Sequence, residues 1–229
     1  MTRLSPQSAG DKALFAILGS NTLVIVFAVW QDWGVLPLLW PYWMQSLIIG
    51  FYARRRILAL QDYCTDGFRI NNRPVDPTPE TARKTANFFL LHYGFFHVVY
   101  LFFLVGLTGS AGADGTVAIT NETTGAVNQV YFGHVHALDV VSFAVLGLVF
   151  WHTHRQSHRE HVQADLAGKP SLGTLMFMPY ARILPMHLTL ILAAAFSGGG
   201  VWIFAVLKTV ADVVMHTIEH RSLGTIRNV

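Results

Sequence analysis

Several things that commonly stabilise or solubilise a small protein are scarce in this chain. Cys64 is the single cysteine in 229 residues, so no intramolecular disulfide can form and a secreted disulfide scaffold is excluded. Charged residues make up only 13%, which rules out a disordered, charge-solvated chain. There is no Walker-type glycine loop, no Cys-x-x-Cys pair and no internal repeat. What is abundant is apolar: 52% of residues are hydrophobic and the mean hydropathy is +0.42. That balance belongs to a membrane protein. The net charge of +3 suits the anionic surface of a cytoplasmic leaflet, so the expected partner is a lipid bilayer and not nucleic acid.

A helix needs about 20 mostly apolar residues to cross the hydrocarbon. Six windows meet this, at 13–31, 35–53, 87–108, 130–151, 180–196 and 201–219. The first is too long and too polar at Asn21 for a cleaved signal core and is expected to be retained. Lys and Arg flanking spans stay on the cytoplasmic side. With both termini inside, all 16 basic residues except Lys208, which lies within a span, fall on that side. The expected architecture is therefore an all-α, polytopic bundle of six transmembrane helices in the inner (plasma) membrane, N-in and C-in. One membrane domain covers 1–229, with a basic cytoplasmic loop at 54–86 and an outer loop at 109–129. Thr78, Pro79 and Glu80 read as N-cap, first helical position and acidic first turn, so the third helix should begin in the cytoplasm.

Ionisable residues inside spans are costly and are functional candidates by default. Lys208, Asp212, His216 and His220 recur every four residues, which places them on one helical face, with Glu219 beside His216. At about 1.5 Å per residue, His92, His187, Asp212 and His216 share one level in the inner half of the bilayer. These four form an N3O set of the kind zinc and other divalent first-row metals accept. Pro185 would kink span 5 just before His187. If the centre is hydrolytic, Glu219 or His220 would serve as acid or base, and Lys208 would hold Asp212 or stabilise developing charge. The competing structural reading pairs Lys208 with Asp212 and lets the histidines hydrogen-bond across helices. A second group, His134, His136 and Asp139, lies toward the outer face in span 4, with His97 nearer mid-membrane; an outer polar cavity is expected there. Beyond span 4, His154, His158 and His161 share one face of a basic helix end at the headgroups.

Four segments read together carry a resemblance: Tyr42-Trp43-Met44-Gln45-Ser46 with Gly50, His92-Tyr93-Gly94 with His97, Pro179-Tyr180 with Arg182 and His187, and Lys208, Asp212, His216, Glu219 and His220. In their order and spacing the chain resembles a bacterial integral-membrane family known only as a domain of unknown function. The resemblance implies that the inner histidines, Lys208, Asp212 and Glu219 belong to a shared pattern. It also implies a Glu-Asn pair where this chain has Gln45 and Ser46, so a carboxylate role in span 2 is not expected here. Rival functions are a b-type haem protein with two of these histidines as axial ligands, a proton-coupled transporter using Lys208 and Asp212, and a non-catalytic subunit of a homo-oligomer or larger membrane complex.

Overall fold

The computed structural model describes residues 6–120 and 124–181 together with Thr209. His187, Lys208, Asp212, His216, Glu219 and His220 lie outside the described residues, as do most of the expected fifth and sixth spans. The described chain is mostly helical. Helix α1 covers Pro6–Trp30, α2 Val35–Leu58, α3 Pro79–Ser110 and α4 Ala137–Leu166; α5 starts at Leu172 and is described to Ala181.

Helix α2 is the centre, packed against both α3 and α4, while α1 packs against α4. A helix with neighbours on two sides buries more than one face. Accordingly Leu36, Leu38, Leu39, Tyr42, Ile49 and Ile57 are buried along with the polar Gln45 and Ser46. Indole and phenol groups tie α2 to the antiparallel α3. Trp40 Nε1 donates to Thr108 Oγ1 at 3.2 Å, Trp43 Nε1 to the His97 carbonyl at 3.1 Å, and the Tyr93 hydroxyl to the Ser46 carbonyl at 2.8 Å.

The structure corrects the all-α expectation at two loops. Arg69–Ile70 (β1) pairs antiparallel with Arg73–Pro74 (β2) through Asn71 and Asn72, which take φ of +51° and +62° as a tight hairpin turn requires. The expected outer loop contains a second hairpin, Thr116–Thr120 (β3) with Val127–Tyr131 (β4). Its alternating β-branched residues have the two-residue period of a strand. This hairpin also delays α4, which starts at Ala137 and not at residue 130.

The bundle has two chemically different ends. At one, the α1–α2 turn meets the outer hairpin: Leu36 N–H donates to the Phe132 carbonyl at 2.7 Å. A Cβ on Gly34 would lie 2.5 Å from Gly133 Cα, and Gly133 has φ +86°, so both positions require glycine. At the other end, the Cys64 backbone bridges to the start of α5 through Cys64 N–H to the Pro170 carbonyl and Leu172 N–H to the Cys64 carbonyl, each 3.0 Å. The described Lys and Arg from Arg54 to Lys169 belong to this second end, and the first carries none among the described residues.

Helices α3 and α4 are long and apolar enough to cross a membrane, at 32 and 30 residues. Their outward faces carry large bare apolar side chains, such as Leu91 at 75%, Phe102 at 74% and Leu148 at 72% exposure. Helix α2 is less apolar than these two: it buries Gln45 and Ser46 against its neighbours and ends in the run Arg54–Arg56.

Candidate functional site

The buried stripe of α3 runs through Ala82, Ala86, Phe89, Tyr93, His97, Tyr100 and Leu104, spaced three or four apart, and faces α2. Gly50 is what lets Tyr93 in: a Cβ there would sit 2.4 Å from Tyr93 Cε1. The Tyr93 hydroxyl can then reach Ser46 across the helix pair. One residue earlier, about 100° round the helix, His92 flanks the stripe. Its Nδ1 lies 2.9 Å from the Tyr180 hydroxyl, a hydrogen bond spanning 88 residues of sequence. Phe88 stacks on the imidazole at 5.4 Å and Phe96 meets it edge-on at 5.0 Å. The Tyr180 ring in turn packs on Phe89, His92 and Tyr93. Thus three of the sequence segments, around Gln45–Gly50, His92–Gly94 and Pro179–Tyr180, converge. With Nδ1 held by a hydroxyl, Nε2 is the ring nitrogen left to take a ligand.

Of the four expected metal ligands, His92 alone is placed; His187, Asp212 and His216 fall outside the described residues, with Lys208, Glu219 and His220. Among the described residues no group of three or more His, Cys, Asp or Glu side chains is arranged to hold a metal. Gln45 is buried, and its Oε1 has no hydrogen-bond partner among the described residues.

The outer group is not carried on one helix. His134 lies ahead of α4, His136 is its N-cap, and Asp139 sits in the first turn. Both Asp139 oxygens are committed: Oδ1 accepts from Trp33 Nε1 and Oδ2 from the His136 N–H, each at 2.7 Å. A buried carboxylate at a helix N-terminus satisfies orphan backbone donors and the helix dipole. On a helix the imidazoles of residues i and i+2 would point apart; in the non-helical stretch before α4 the His134 and His136 rings instead meet edge to face at 5.0 Å, because extended backbone returns to the same side every second residue. His97 is buried on α3; its Nδ1 donates to the Tyr93 carbonyl at 2.9 Å and its ring stacks on Tyr93 at 4.3 Å.

Sequence reasoning missed the construction at the basic end. Arg56 on α2 forms a bidentate ion pair with Asp165 on α4, Nε to Oδ2 at 2.5 Å and Nη2 to Oδ1 at 2.8 Å. The two positions are 109 apart in sequence, and no local pattern joins them. Beside this pair an open cleft of about 70 Å3 lies between α2, α4 and α5, lined by Tyr52, Arg56, His154, Ser157, His158 and His161, with an apolar wall from α5. The shared face of His154, His158 and His161, legible from their spacing, is therefore a cleft wall. His161 Nδ1 donates to the Ser157 carbonyl at 2.8 Å, and the His158 ring lies against Tyr52 at 5.0 Å.

No curated protein and no solved structure matches the chain. The likeness seen in the sequence is resolved by a family model that aligns with residues 3–225, nearly the whole chain and every segment just described. The protein belongs to the Family of unknown function (DUF6498).

Proposed function

We propose that this chain is a six-span inner-membrane protein, N-in and C-in, whose inner-half cluster of His92, His187, Asp212 and His216 binds a divalent transition metal, zinc being the best chemical fit. Two observations support the membrane reading. The described basic residues from Arg54 onward are segregated to one end of the bundle, and α3 and α4 are long and apolar enough to cross a membrane and expose many large apolar side chains.

The observation that carries the site is the His92–Tyr180 hydrogen bond. It joins the third helix to the segment leading into the fifth span, seven residues ahead of His187, and it fixes one imidazole nitrogen as metal-binding histidines usually have theirs fixed. A bound metal would supply Lewis acidity and a more acidic coordinated water. Lys208, Glu219 and His220 share the sixth span with two of the ligands, so they supply the acid, base and positioning groups, with metal-assisted hydrolysis as the reaction class.

Elemental analysis of detergent-purified protein tests this. The wild type is expected to carry stoichiometric metal, and His92→Ala, His187→Ala and His216→Ala are each expected to lose it while still inserting. Tyr180→Phe should retain the metal with affinity weakened about 10- to 100-fold, as removal of an orienting partner does. Protein purified without metal that shows a visible haem band would replace this reading with the haem one; metal content unaffected by the three histidine variants would overturn it.

A further inference from the structure

The cleft at the basic end offers more than a solvated helix terminus. No carboxylate is among its described lining residues, and Asp165 beside it is buried and held bidentately by Arg56. A hydroxyl, a guanidinium and three imidazoles face one volume, and His158 Nδ1 is buried without a hydrogen-bond partner among the described residues. A buried polar atom in that position calls for a partner from outside the described residues, which a ligand in the cleft can supply. A metal does not fit, since no ligand trio is arranged for one and the neighbouring guanidiniums repel cations. We infer that the cleft binds a phosphate group, carried either by a small soluble phosphate or by the headgroup of an anionic lipid. The roughly 70 Å3 of the cleft holds a group of a few heavy atoms, the size of a phosphate. Imidazolium, guanidinium and hydroxyl donors are the ones that recognise phosphate oxygens.

Binding is coupled to proton uptake. His158 is held below the ordinary histidine value first by burial and then by the Arg55 and Arg56 guanidiniums, against the opposing pull of Asp165. The other groups facing it are His154 and His161 on its own helix and Tyr52 on α2, while α5 contributes the apolar Leu175, Met178 and Pro179. A dianion entering the cleft offsets the two arginines and restores the proton to His158. Affinity therefore rises as pH falls through the histidine range. The lipid source alone depends on the membrane reading above, which puts this cleft at the headgroups just beyond the expected end of span 4.

The test uses full-length protein in phosphatidylcholine nanodiscs, titrated calorimetrically with sulfate and with inorganic phosphate at about pH 6 and about pH 8, on either side of the ordinary histidine value. Sulfate does not titrate in this range, so protons taken up with it report the protein. Expected is sulfate or phosphate binding with proton uptake, tighter at the lower pH. His158→Gln and His161→Gln should each weaken it about tenfold or more, the loss of one charge-assisted hydrogen bond. A parallel arm compares thermal stability in nanodiscs with and without phosphatidate. Stabilisation by phosphatidate alone, reduced in His158→Gln, assigns the phosphate to a lipid. No response to sulfate, phosphate or phosphatidate overturns the site, as do responses that both variants leave unchanged. Wild-type proton uptake decides the matter even if a variant fails to fold. Metal content is a separate measurement, so failure here leaves the inner cluster untouched.

Discussion

A single missing methyl group organises the α2–α3 contact. Gly50 sits in a helix, where alanine would ordinarily gain about 0.5–1 kcal/mol in backbone entropy. Here the added Cβ would drive into the Tyr93 ring, which is itself fixed by the Ser46 carbonyl and by Phe89 and Tyr180. Gly50→Ala is therefore expected to destabilise the protein by about 1–3 kcal/mol, the range for overpacking a filled interior. Gly147→Ala is the control: its Cβ meets Met44 at an ordinary 3.8 Å. Thermal unfolding in detergent should show a lowered midpoint for the first and an unchanged or slightly raised one for the second.

At the scale of elements, the cap and the cross-helix ion pair contrast instructively. The third helix begins where Thr78, Pro79 and Glu80 say it should, with Thr78 Oγ1 accepting from the Thr81 N–H at 3.2 Å. The signal is local, three consecutive residues satisfying the orphan donors of one turn. The fourth helix was misplaced by seven residues at its start, because an apolar window cannot distinguish a strand with alternating apolar residues from the first turns of a helix. The Arg56–Asp165 pair clamps α2 to α4 with side chains only 11% and 4% exposed. Removing one partner from such a pair strands a buried charge, so Arg56→Met or Asp165→Leu alone should cost about 3–5 kcal/mol. The double variant Arg56→Met with Asp165→Leu should recover most of that loss. Unfolding free energies in a double-mutant cycle check this; a double variant that costs the sum of the two singles would show that the pair does not act as a unit.

For the whole molecule, the testable quantity is orientation. The hairpin end carries no described Lys or Arg, whereas the α5 end gathers them. In a Cys64→Ser background, Ala118→Cys on the exposed outer hairpin should react with a membrane-impermeant maleimide in intact cells, and Asp76→Cys in the basic loop should react only after lysis. The reverse pattern would invert the topology. Both positions are exposed, so failure to label cannot be attributed to burial in the protein.

The amino-acid sequence by itself determined that the chain is mostly helical with long apolar segments, the existence of the four described long helices, the α3 cap, and the partition of charge between the two ends. These depend on composition, local capping chemistry and periodicity, which act over one or two turns. It also grouped His154, His158 and His161, since four- and three-residue spacing is a property of one helix. Tertiary structure alone decided what each grouping faces. It showed that Asp139 caps a helix and receives Trp33, that Gly50 admits Tyr93, that Tyr180 reaches His92, and that Arg56 and Asp165 close one side of a cleft. Each of these joins residues from separate elements, so it follows from how the elements pack and not from the order of residues within any one of them.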